Sequence, residues 1–166
     1  MHRRISGILF ALALWLLASG MTGHGSLAQD ANPIVSLGGR WAGTGTLVAA
    51  SRPDEIFKCV VTYFPSDGGA SLKQNLRCKS ANYQFDGAAQ LKITAGKITG
   101  RWEDKVNSLQ GTVSGTVTPD GFLILLSGEF FDAKMTVVSS GCQQSVTIVP
   151  EEGLAIKKLS AVLKKC

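Results

Sequence analysis

The chain is poor in the residues that most catalytic schemes need. Only 2 of its 166 residues are histidine. Both, His2 and His24, lie in a leader described below, so the remainder has none. Histidine-based acid–base pairs, triads and imidazole metal sites are thereby excluded. The 4 cysteines, Cys59, Cys78, Cys142 and Cys166, stand too far apart for a zinc motif. No phosphate loop is present; the 19 glycines are spread through the chain as a curved sheet requires. Charged residues make up only 17%. Adjacent carboxylates occur at Glu103-Asp104 and Glu151-Glu152, but neighbours on a strand point to opposite faces. The first pair is therefore expected to give one exposed and one rim carboxylate. These absences predict no catalytic residues, no metal, no cofactor, and a protein that is not an enzyme.

The first residues read as a secretory signal. Met-His-Arg-Arg supplies a positive start, Ile5 to Ala18 an apolar run, and Ser26-Leu27-Ala28 small residues before a cut. The run is short for a membrane span, and no cysteine follows the cut to carry a lipid anchor. Residues 1–28 are thus a signal peptide, 29–37 an amino-terminal arm, and 38–166 a single domain. A periplasmic or secreted location follows, with no membrane span after cleavage. Loss of Arg3 and Arg4 leaves 15 basic against 12 acidic residues, a net charge of +3.

What is present is a rhythm. Phe57, Cys59, Val61 and Tyr63 share one parity, with Lys58 and Thr62 on the other. Leu72, Leu76 and Cys78 oppose Lys73, Asn75, Arg77 and Lys79. Tyr83, Phe85, Gly87, Ala89, Leu91 and Ile93 oppose Asn82, Gln84, Asp86, Gln90 and Lys92; Ile98, Gly100 and Trp102 oppose Lys97, Thr99, Arg101 and Glu103. Alternation of this kind marks strands with one buried and one wet face. Asp67-Gly68-Gly69-Ala70 is a hairpin signal. Centring the turn on Gly68-Gly69 sets Val61 opposite Leu76 and Cys59 opposite Cys78. Pro65 argues for a somewhat longer loop in the same register. A turn at Ala95-Gly96 sets Ile93 against Ile98, Leu91 against Gly100, and Ala89 against Trp102.

The rhythm continues before and after this stretch. Ala42 to Val48 forms the first strand. Leu109, Gly111, Val113, Gly115 and Val117 face inward, and Thr118-Pro119-Asp120-Gly121 turns the chain. Phe122 to Leu126 is apolar on both faces, so its outer side is expected to be covered or to meet a partner. Phe131, Ala133, Met135 and Val137 face in, then Gln144, Val146 and Ile148. The segment from Leu154 to Lys165 reads as a helix through Ile156, Leu159 and Leu163, or as a strand through Leu159, Ala161 and Leu163. The strand is preferred because a meander needs its free edge closed. The fold class is all-β: an antiparallel up-and-down meander of about nine or ten strands closing into a barrel or flattened barrel. Four cysteines in an exported chain pair. Three connectivities exist; the register favours Cys59–Cys78, and elimination then leaves Cys142–Cys166.

The Gly39-Arg40-Trp41 opening resembles the Gly-x-Trp signature of the lipocalin and calycin barrels, whose tryptophan packs across the closed end. The likeness covers three residues and the general meander. A second lipocalin motif is lacking, and Gly100-Arg101-Trp102 repeats the opening mid-chain. In style the chain is also similar to small exported proteins of Gram-negative bacteria. Its shape and arm resemble those of periplasmic metalloprotease inhibitors, small disulfide-bonded barrels with an inhibitory amino-terminal arm.

Two surfaces can carry a function. Phe57, Val61, Tyr63, Leu76, Phe85, Leu91, Trp102, Val113, Phe122 and Met135 face inward and can line a cavity for an apolar or amphipathic small ligand; a filled core is the plainer reading. Outside, Lys58, Lys73, Arg77 and Lys79 form a basic stripe suited to an anionic lipid surface, with an ordinary solvated face as the plainer reading. Nucleic acid is not expected, since no aromatics interleave with these charges. The function predicted is an exported, non-enzymatic binding barrel. The alternative is an interaction module, either a periplasmic protease inhibitor or an envelope-surface contact protein.

Overall fold

The structure, a computed structural model, describes residues 32–151 and 154–166. The signal peptide, the first residues of the arm, and Glu152 of the second carboxylate pair lie outside the described residues.

The alternating pattern becomes ten antiparallel strands. In order they are β1 (Gly39–Ala49), β2 (Glu55–Ser66), β3 (Ser71–Lys79), β4 (Gln84–Thr94), β5 (Lys97–Asp104), β6 (Leu109–Thr118), β7 (Gly121–Gly128), β8 (Asp132–Ser140), β9 (Gln143–Pro150) and β10 (Ile156–Lys164). Each strand pairs with its sequence neighbours, and β10 returns to β1, closing the barrel. Closure satisfies both edges of the meander at once. The tail is therefore a strand: Leu159 pairs with Leu47 on one side and Ile148 on the other, and Leu163 is buried.

The hairpins carry the expected registers. Cys59 faces Cys78 and Val61 faces Leu76, although the connection is a four-residue turn over Asp67–Ala70 rather than a two-residue one. Pro65 pairs with Leu72 after β1 has ended opposite Tyr63, so no β1 ladder partner remains for its missing N–H. At the β4–β5 turn, Ala95 and Gly96 take φ values of 49° and 75°, the left-handed pair that matches strand twist. Inside, large residues face glycines: Phe57 opposite Gly45, Leu91 opposite Gly100, Trp102 opposite Gly111 and Ile124 opposite Gly115. A Cβ built on Gly111 would run into Ser127 O and lie 2.8 Å from Trp102 Nε1. The indole occupies the room that the missing side chain leaves.

One end of the barrel is sealed by the arm. Asn32 caps a short helix α1 (Pro33–Ser36), accepting from Ile34 N at 2.9 Å, with proline at the first helical position. The Asn32 amide also donates to Gly68 O at 2.9 Å. Ile34 and Leu37 are fully buried beneath the helix with Trp41, Leu72, Ile98, Phe122 and Val137. Trp41 Nε1 donates to Leu37 O at 2.7 Å. The tryptophan thus closes the barrel floor, as the Gly-x-Trp resemblance implies. Disulfide Cys142–Cys166 ties the carboxyl terminus to the β8–β9 turn at this same end.

The described part of the arm is a plug whose apolar residues belong to the core. Of the two outcomes expected for the outer face of β7, covering is not seen among the described residues, where Leu123 and Leu125 are exposed; the other, a partner contact, stays open. Inward and outward residues still alternate, but β7 keeps apolar side chains on both sides.

Candidate functional site: a cavity in the open half of the barrel

Above the plug, the inward side chains do not meet across the barrel. They leave a cavity of about 460 Å³ that opens between the loops at the end opposite α1. Of the ten inward residues singled out from the sequence, Phe57, Val61, Tyr63, Leu76, Phe85, Leu91, Trp102, Val113 and Met135 line it. Phe122 does not. It pairs with Val117 and Val137 near the β6–β7 turn, at the plugged end, where it is completely buried in the filled core. Parity put it on the inner face, but its height along the barrel removed it from the cavity. Both cysteines of disulfide Cys59–Cys78 are part of the wall.

The floor contains a buried polar chain. Tyr63 donates its hydroxyl to Gln144 Oε1 at 3.1 Å, and Gln144 Nε2 donates to Ser139 Oγ at 3.1 Å. Gln144 is wholly buried, and its amide has a partner at each end. Burial holds the Tyr63 hydroxyl well above the usual tyrosine range, with the Gln144 hydrogen bond opposing the shift. This phenol stays protonated and acts as a fixed donor.

The mouth is made by loops, and it adds residues that were not among the ten singled out from the sequence, although parity had already turned Leu109 and Phe131 inward. Phe130 and Phe131, between β7 and β8, line the cavity with Leu109 and Leu154. Phe130 is 69% exposed. Phe131 lies with its ring 5.5 Å from that of Trp102, tilted at 47°, a favourable aromatic geometry. The adjacent aromatics after Gly128-Glu129 were the available signal, since loops seldom carry two phenylalanines without a surface to cover. Trp102 Nε1 is buried without a hydrogen-bond partner among the described residues.

The carboxylate pair at the end of β5 divides as alternation demands, but the inner member is more deeply placed than a rim residue. Glu103 is exposed and approaches Lys105 at 3.8 Å. Asp104 is buried and lines the cavity. It accepts from Asp86 N at 3.2 Å, Val106 N at 3.0 Å and Asn107 Nδ2 at 2.6 Å. These bonds close the β5–β6 turn onto β4. Among the described residues no second carboxylate hydrogen-bonds to Asp104, although Glu103 also contributes to the cavity lining.

The outer basic stripe is in place: Lys58 pairs with Lys79 across β2–β3, and Arg77 lies 3.4 Å from Asp86. Both side chains of that ion pair are substantially exposed. Near the mouth, Glu55 accepts from Ser80 Oγ and Asn82 Nδ2, each at 2.6 Å, tying the start of β2 to the β3–β4 loop. These bonds, that from Ser80 first, hold its carboxyl below the usual 4.5. Among the described residues no group of three metal-ligating side chains occurs, and no helix is long and apolar enough to cross a membrane.

No protein-family model matches the chain, and no curated protein matches it in sequence. Among solved structures it is similar to the S-type phycobiliprotein lyase CPES from Guillardia theta, with a TM-score of 0.60 and 10% identity. The match covers 80% of this chain and 90% of that one. At such identity the likeness is one of fold. The closed ten-strand meander, plugged at one end and open at the other, fits a calycin-like barrel.

Proposed function

We propose that this protein is an exported, non-enzymatic binding barrel that holds an apolar or amphipathic small molecule in its open half. The observation that carries the reading is the cavity of about 460 Å³, lined almost throughout by aliphatic and aromatic side chains. That volume lies within the range in which pockets engulf small molecules. A domain of this size normally packs its interior to crystalline density. Here one end is so packed while the other is not. Resemblance in fold to a protein named as a phycobiliprotein lyase supports a small-molecule role for the barrel. The secretory character of residues 1–28 and the two disulfides support export. Engagement of Asp104 in turn hydrogen bonds supports the non-enzymatic part.

The inhibitor alternative draws less support, because Ile34 and Leu37 of the arm are built into the core. An envelope-surface contact draws its support from the exposed Leu123 and Leu125 on β7.

Native mass spectrometry of protein purified from its own host, combined with titration by the neutral apolar dye phenylnaphthylamine, tests the proposal. The expected result is an excess mass lost on collisional activation and saturable dye fluorescence. A bare polypeptide mass together with no dye binding overturns it.

A further inference from the structure

The cavity wall has a charge character that constrains its ligand. Among the described residues no lysine or arginine lines the cavity. The buried charged group in the wall is Asp104, at the height of the mouth. Its three hydrogen-bond donors, two backbone amides and Asn107, are all neutral. Glu103, exposed beside Asp104, adds a second carboxylate to the lining, and the cation next in sequence, Lys105, which does not line the cavity, approaches Glu103 at 3.8 Å. At the floor, the Tyr63 hydroxyl already donates to Gln144.

We propose that the cavity selects neutral or cationic amphiphiles and rejects those with a carboxylate head; this rests on the binding reading above. Both orientations of an anionic amphiphile are unfavourable. Head inward, a carboxylate would lose its hydration at a floor that offers no counter-charge and whose phenolic donor is committed. Tail inward, the head would stop at the mouth beside the Asp104 carboxylate, where low-dielectric surroundings strengthen like-charge repulsion. An alcohol head escapes both terms. An ammonium in the second orientation gains from Asp104, which accepts from neutral donors alone.

The test is displacement of phenylnaphthylamine from the whole mature protein near neutral pH by dodecanol, dodecylamine and dodecanoate, which share a chain and differ in head charge. Dodecanol and dodecylamine are expected to displace the dye, with dodecanoate weaker by about tenfold or more. Leu109 lines the cavity and pairs with Asp104 across β5–β6, so Leu109→Lys sets a cation in the wall beside that carboxylate. It should bring dodecanoate close to dodecanol. Asp104→Asn, which removes the charge and keeps an acceptor oxygen, should shrink the advantage of dodecylamine over dodecanoate. If dodecanoate competes as well as dodecanol in the wild-type protein, the charge inference is wrong while the binding reading stands. The same holds if both folded variants leave the ranking unchanged. If the dye itself does not bind, the binding reading fails and the selectivity falls with it.

Discussion

The ammonium of Lys165 lies 5.0 Å from the centre of the Trp41 ring, joining the last residues of the chain to the first residues of the barrel. The same Nζ donates to Ser36 O at 2.9 Å and Gly38 O at 3.1 Å, at the end of α1. Cys166, the next residue, is held by Cys142. The plug is thus clasped from outside by a cation and from inside by Ile34, Leu37 and Trp41.

Lys165→Met keeps most of the alkyl stem and removes both carbonyl contacts and the cation–π contact. A loss of about 1 kcal/mol is expected, since the group is exposed to solvent. A urea midpoint shift with unchanged far-UV circular dichroism would show it; an unshifted midpoint would mean that the clasp contributes nothing.

Leu37 is fully buried, so Leu37→Ala should cost about 2–5 kcal/mol as a cavity-forming change. Equilibrium unfolding measures this directly. The result separates a plug from a free inhibitory arm, whose truncation would leave stability untouched.

Cys59 and Cys78 bridge adjacent strands with 19 residues of sequence separation. Replacing both by alanine should lower stability by about 3 kcal/mol on chain-entropy grounds, with the thermal midpoint falling and strand content retained. Selective reduction of the wild-type protein should move the melting curve in the same direction.

Gly111→Ala inserts a methyl group where the Trp102 indole and Ser127 O already sit. Overpacking of this kind costs about 1–3 kcal/mol. Because Trp102 lines the cavity and Trp41 lies in the plug, the variant is also expected to change Trp102 fluorescence. A Trp41→Phe background isolates that signal.

Glu55 gives a pH prediction. Its folded carboxyl titrates below the usual 4.5, so the tether to Ser80 and Asn82 contributes fully above that value and is lost as pH falls through the lower, folded one. Amide exchange in the loop of residues 80–83 should accelerate across that acid window beyond the intrinsic pH dependence. Glu55→Gln should remove the pH-dependent part; persistence of that part would assign it to another group.

Much of this architecture was legible because strand parity is local. Phe57, Val61, Leu76, Phe85 and Leu91 declare their face through their immediate neighbours, and a turn centred on Gly68-Gly69 sets the rung on which Cys59 meets Cys78. Phe122 shows where parity stops. It tells inside from outside but carries no height along the barrel, and height separates the packed plug from the cavity. Phe130 escaped because it belongs to a loop, which has no period to read, whereas its neighbour Phe131 was read as inward from the parity of the strand that follows. The burial of Asp104, expected only as one member of an exposed-and-rim carboxylate pair, was not legible because its donors come from β4 and the following turn, brought together by pairing between strands.

The order of residues alone therefore determined the faces, the hairpin registers, the disulfide partners those registers imply, and the need for a closed edge, since each depends on nearest neighbours along or across one hairpin. Whether the interior is filled depends on the radius of ten strands joined in a ring and on which of their side chains reach the same level. That is a property of the closed barrel as a whole, and only the tertiary structure decided it.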